Sequence, residues 1–203
     1  MNRIKTTFTL LLIVLTIGVS NAQFGVRAGL NLASLKVKAN LFGLPIAVST
    51  DDKVGGHIGA YYKSKLSEKL SIRPNLIFTT GGGKAVDDTT GESNSVSASY
   101  LGLPIDFMYT VPAGSNSLSL IGGPYLGYLL SSSSDEGSDE DEFTSTDIGL
   151  NFGLQFNVKK LGIGIVYGIG LTNVLPEIDT GTSFFGDASA NTRIFSFYVT
   201  YDL

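Results

Sequence analysis

Residues 147–171 read DIGLNFGLQFNVKKLGIGIVYGIGL, and two phases run through them. Ile148, Leu150, Phe152, Leu154, Phe156 and Val158 alternate with Asp147, Gly149, Asn151, Gly153, Gln155 and Asn157. After Lys159-Lys160 the alternation resumes, with Ile163, Ile165, Tyr167, Ile169 and Leu171 set against Gly162, Gly164, Val166, Gly168 and Gly170. A period of two places the two sets on opposite faces of a strand. The stretch therefore reads as a hairpin joined by the lysine pair. One face is bulky and apolar; the other carries mostly glycine and amides.

The same pattern extends in both directions. From Phe24, the series Phe24, Val26, Ala28, Leu30 and Leu32 alternates with Gly25, Arg27, Gly29 and Asn31. At the end of the chain Phe195, Phe197, Val199, Tyr201 and Leu203 alternate with Ser196, Tyr198, Thr200 and Asp202. Weaker runs occupy 54–63, 69–79, 96–109 and 118–130, which makes eight strands. Their connections alternate in length: short at 64–68, 110–117 and 159–160, long and polar at 37–53, 81–95, 131–146 and 173–191. An even number of ~10-residue alternating strands with short turns at one end and long loops at the other is the pattern of a transmembrane barrel.

The choice between a soluble carrier barrel and a membrane barrel turns on which face is wet. The interior of an eight-stranded barrel is only wide enough for side chains. Glycine and small polar residues belong there, which leaves the bulky face pointing outward to hydrocarbon. Tyr62, Tyr109, Tyr128, Tyr167, Phe195 and Tyr201 are candidates for interfacial girdles. The expected fold is thus all-β, an eight-stranded antiparallel up-and-down transmembrane barrel at residues 23–203. It would follow a cleaved signal peptide at residues 1–22, where Arg3 and Lys5 precede an apolar core at 8–19 and small residues at Ser20 and Ala22.

Composition narrows the function. The 203 residues include no cysteine and one histidine, which excludes disulfides, thiolate chemistry and a multi-histidine metal centre. A formal charge of -4 argues against nucleic acid as a partner. No cofactor motif is present: Gly81-Gly82-Gly83-Lys84 lacks the spacing of a phosphate loop.

Phase counting puts Arg27, His57, Lys63, Arg73, Asp106, Asp147 and Asp202 on the inner face. The favoured reading is a structural network of paired charges, with Arg27 and Arg73 opposite Asp106 and Asp147, because unpaired charges in a dry interior are costly. The alternative is a narrow channel for small solutes. A third reading takes His57 as the base of a lipid-modifying hydrolase at the outer rim; no Gly-x-Ser-x-Gly motif accompanies it. Asp135, Glu136, Asp139, Glu140, Asp141 and Glu142 crowd the third long connection. They read as a solvated, self-repelling segment, with cation binding as the alternative. Pro74, Pro104 and Pro124 fall inside strands and predict bulges or frayed pairing.

Tyr100-Leu101-Gly102-Leu103-Pro104-Ile105, Gly122-Gly123-Pro124-Tyr125-Leu126-Gly127-Tyr128-Leu129-Leu130 and the opening Gly25-Val26-Arg27-Ala28-Gly29-Leu30-Asn31 resemble the PorT-like, "porin family" outer-membrane β-barrel domain of Gram-negative bacteria. The resemblance spans residues 23–203. Two positions depart from the pattern: Gly102 stands where many relatives carry Glu, and the chain ends in Leu203 where barrels most often end in Phe. The closing Phe197-x-x-x-Tyr201-x-Leu203 is similar to the signal read by the barrel-insertion machinery. The expected function is a non-enzymatic, structural or surface-interaction role in the cell outer membrane, in contact with lipid, with four external loops that meet lipopolysaccharide or protein partners. The resemblance also admits accessory roles in secretion or assembly complexes.

Overall fold

A computed structural model describes residues 23–41, 44–49, 51–86, 93–134, 144–173 and 189–203. Nine strands occur among them: β1 Gln23–Leu41, β2 Leu44–Ser49, β3 Asp51–Lys65, β4 Leu70–Val86, β5 Ser93–Ala113, β6 Asn116–Ser134, β7 Thr146–Val158, β8 Leu161–Gly170 and β9 Ser189–Asp202. All neighbours pair antiparallel, and β9 pairs back onto β1 from Gly25 opposite Asp202 to Lys38 opposite Ser189. The wall formed by β1 and β3 to β9 is closed, so each of these strands has a neighbour on both sides.

Eight strands form the wall. β2 prolongs the line of β3 along the upper part of β1: Ala33 of β1 pairs with Lys53, and Lys36 pairs with Ser49, a register shifted by one residue. The long connections are correspondingly shorter than the sequence pattern implies. The ladder β4–β5 continues to Val86 opposite Ser93, and β5–β6 continues to Val96 opposite Ser134. The short connection expected over 110–117 shrinks as well. Ala113 pairs with Asn116, and the chain reverses through Gly114, whose φ of +67° suits a residue without a Cβ. Residues 1–22 and the acidic run Asp135–Glu142 lie outside the described residues.

The prolines interrupt the ladder without shifting it. On β3–β4 the pairing skips from Tyr61 opposite Asn75 to Ser64 opposite Ile72, beside Pro74. On β4–β5 it skips from Pro74 opposite Ile105 to Ile77 opposite Gly102, beside Pro104. On β5–β6 it skips from Pro104 opposite Tyr125 to Phe107 opposite Gly122, beside Pro124. Each ring removes one N–H, and the strands part locally in constant register. Asn75 fills part of the gap by donating Nδ2 to the carbonyls of Arg73 (2.8 Å) and Pro104 (3.2 Å). The register shifts that do occur lie elsewhere, between Asp52 and His57 and between Ser99 and Tyr100. Of the bulges or frayed pairing expected at the prolines, the described ladder shows the frayed pairing.

The two phases separate as the alternation requires. Leu30, Phe197, Ile165 and Leu154 form one cross-strand row on the outside, exposed despite being apolar. Tyr109 and Tyr201 face outward toward the short-turn end, where Phe24 and Tyr62 meet edge-on at 5.3 Å; Tyr128, Tyr167 and Phe195 face outward toward the other end. A soluble protein would not leave such a belt to water. Replacing Ile165 with Arg, in the middle of this belt, is expected to lower stability by about 2–4 kcal/mol. Urea unfolding in lipid vesicles measures it, and an unchanged midpoint would mean that this row does not face lipid.

Candidate functional site

The lumen is built from the inner phase of each strand, and its centre is Arg73 on β4. Register places Arg73 directly across from Asp106 on β5. Arg73 Nε and Nη2 donate to Asp106 Oδ2 at 3.1 and 2.9 Å, and Nη1 donates to Gln155 Oε1 at 2.7 Å. Tyr198 of β9 donates its hydroxyl to the same Gln155 oxygen at 3.0 Å. Asn75 Nδ2 adds a third bond to Asp106 Oδ2 at 3.1 Å. Arg73 is 1% exposed, Asp106 and Tyr198 0%. At this level the barrel interior is solid protein.

Glycine makes that packing possible. Tyr198 sits opposite Gly29 on one neighbouring strand and opposite Gly164 on the other. A Cβ at Gly164 would lie 2.5 Å from the Tyr198 ring, so no other residue leaves the ring its place. The rings of Tyr61 and Tyr125 likewise cover Gly25 and Gly149 across the ladder.

Arg27 of β1 stacks on Tyr198, its Cζ 3.7 Å from the ring centroid, and its Nη1 lies 3.7 Å from Asp106 Oδ2. Arg27 Nε donates to His57 Nε2 at 3.0 Å. Because guanidinium only donates, His57 carries its proton on Nδ1, which donates to Asn31 Oδ1 at 2.8 Å. Ser196 donates to that same oxygen at 2.8 Å, and Asn31 Nδ2 donates to Thr79 at 2.7 Å. Both imidazole nitrogens are thus engaged inside the barrel. His57 lies in the lumen beside Arg27, on the inner phase expected for it, and not at the outer rim that the alternative reading as a hydrolase base requires.

The remaining ionisable residues separate. Lys63 pairs with Asp202 at 2.7 Å near the short-turn end, where Tyr61 also donates to Asp202 at 2.5 Å. Asp147 pairs with neither arginine, contrary to the expected arrangement. It accepts from Tyr125 at 3.0 Å and Thr172 at 2.8 Å near the long-connection end. The reason is height: Asp147 enters β7 at its upper end, Arg73 lies near the lower end of β4, and only Asp106 reaches both arginines. Gln155, Tyr198, Asn75 and Asn31 were not singled out from sequence. Gln155 and Tyr198 lie on the inner phase, but nothing in one sequence gives the register that makes them a hub.

Above this layer lies a cavity of about 80 Å³, lined among others by Arg27, His57, Ile77, Tyr125, Asp147 and Val166. A smaller one of about 30 Å³ follows toward the long-connection end, sharing Thr79, Tyr100, Thr192 and Ile194. Among the described residues, no group of three or more His, Cys, Asp or Glu is arranged to hold a metal.

A closed barrel with an apolar belt outside and a packed polar interior defines a transmembrane β-barrel of the outer-membrane class. The chain belongs to the outer membrane protein beta-barrel domain family, whose model matches residues 13–175, and its place is the cell outer membrane. Solved structures similar to the chain include three outer-membrane or surface proteins. Neisserial surface protein A (NspA) is 12% identical with a TM-score of 0.50, covering 91% of this chain and 100% of its own. OprG from Pseudomonas aeruginosa is 11% identical, TM-score 0.46, over 90% and 96%. Ail, the attachment invasion locus protein of Yersinia pestis, is 12% identical, TM-score 0.39, over 87% and 98%. No curated protein matches the chain.

Proposed function

We propose that this protein is a non-enzymatic, non-conducting barrel that holds its four long connections at the cell surface, where they meet lipopolysaccharide or protein partners. The observation that supports this most is the filled lumen around Arg73, Asp106, Gln155 and Tyr198. A barrel with such a layer is an anchor for its loops, since water and ions find no room beside it. The charged groups then serve structure, and His57, held by Arg27 and Asn31, has no nucleophile among its hydrogen-bond partners. Planar-bilayer recording tests the reading: the purified protein should give no steady openings, and steady openings would replace it with the small-solute channel.

The finer assignment within the family is to the PorT-like group. It rests on the Tyr100–Ile105 and Gly122–Leu130 segments, with the accessory role in a secretion or assembly complex as the accompanying reading. Residues 1–22 act as the export signal. Phe197 and Tyr201 on β9, and Leu203 directly after it, are exposed on the outside, which suits recognition of that strand by the insertion machinery.

A further inference from the structure

Two buried charges of opposite sign face the same cavity: Arg27, which shares its one carboxylate with Arg73, and Asp147, which has no ion pair among the described residues. Arg27 is 4% exposed, and among the described residues neither of its terminal nitrogens has a hydrogen-bond acceptor; its one carboxylate neighbour, Asp106, is already held by Arg73. The layer that floors the cavity therefore carries two cations against one anion. At the other end Asp147, also 4% exposed, accepts from two hydroxyls, and among the described residues no ion pair reaches it. Arg193, the cation nearest in sequence on β9, gives Nη1 to the carbonyls of Gly170 and Thr192 instead. Between the charges the wall is largely apolar, with Ile77, Tyr100, Val166 and Ile194.

We infer that this cavity is a binding site for a small linear zwitterion, a carboxylate and an ammonium joined by a short apolar chain. The carboxylate takes the free guanidinium edge of Arg27 and the ammonium takes Asp147. Inside a barrel wrapped in hydrocarbon the two charges are weakly screened, so each selects its opposite strongly. A simple anion satisfies Arg27 but is repelled by Asp147, and a simple amine meets the reverse. A molecule with both charges satisfies both, and its methylene chain lies against the apolar wall. The volume allows a molecule of a few heavy atoms in place of several waters, each of which needs ~15 Å³. The inference goes beyond the surface role proposed above and is independent of whatever the loops bind.

The test is a titration of the full-length barrel in detergent micelles, following the Arg27 Nε–H signal by NMR. Glycine, 4-aminobutyrate and 6-aminohexanoate are each compared with the carboxylate and the amine of equal length. At least one zwitterion should shift the signal saturably and bind about tenfold more tightly than either single-charge analogue. Asp147→Asn keeps one acceptor oxygen for Tyr125 or Thr172 and presents its amide NH2 to the other hydroxyl oxygen, and it should erase the difference between that zwitterion and its carboxylate. A carboxylate or amine binding as tightly as every zwitterion to the wild type overturns the inference, as does the absence of a saturable shift up to roughly 100 mM. The comparison on the wild type needs no variant to fold.

Discussion

Asp106→Ala is expected to lower the unfolding free energy of the barrel by about 3–5 kcal/mol, the usual result of removing one partner from a buried pair. Asp106 is fully buried, and its Oδ2 accepts from Arg73 twice and from Asn75 once. Without it Arg73 and Arg27 become two like charges in a closed lumen with no counter-ion at that level. Removing the charge pair together is a different experiment. Arg73→Met with Asp106→Leu leaves the net charge of the layer unchanged and fills similar volume, so the double variant should be more stable than Asp106→Ala alone. Urea titration in lipid vesicles, read by the mobility difference between folded and unfolded barrel, measures both. A cost below about 1 kcal/mol for Asp106→Ala would mean that the arginines find other acceptors and that the layer is not held by this carboxylate. Bilayer conductance should stay near zero in Asp106→Ala, because Gln155 and the Tyr198 ring still occupy the lumen.

The inner phase of the lumen was legible in the sequence because one face of each strand is apolar and the other is not. Arg27, His57, Arg73, Asp106 and Asp147 all follow from parity alone. Parity does not give height, and height decides partners. Asp106 meets Arg73 because the β4–β5 register aligns them, whereas Asp147 stands at the far end of β7 with Tyr125 and Thr172. The same limit explains the long connections. Beyond the apolar belt both faces of a strand are polar, so the period of two loses its contrast. Ser131, Ser132, Ser133 and Ser134 show no alternation, yet they pair with Ser99, Ala98, Ser97 and Val96. The prolines were legible as weak points, but not the part played at Pro74 and Pro104 by Asn75, whose bond across to the Pro104 carbonyl is a contact between strands that composition does not reveal.

Tyr198→Ala is expected to cost a comparable amount, about 3–5 kcal/mol, and in addition to change what passes through the barrel. The ring is fully buried and fills the space over Gly164, under Arg27 and beside Gln155. Its removal joins the floor of the lumen to the cavity of about 80 Å³ above, and the exposed charges draw water into the void. Small steady openings should then appear in planar bilayers, where none are expected of the wild type. Two further variants separate volume from hydrogen bonding. Tyr198→Phe keeps the ring and gives up only the hydroxyl bonds to Gln155 and Arg73, at 3.0 and 3.4 Å, so it should cost about 1 kcal/mol and stay closed. Gly164→Phe points a ring into the space that Tyr198 vacates; alone it clashes, but combined with Tyr198→Ala it should restore much of the lost stability and suppress the openings. If the combined variant conducts as freely as Tyr198→Ala, ring volume is not what closes the lumen. Closure would then rest on the hydroxyl and the stacked guanidinium, and the Tyr198→Phe barrel would be the one to open.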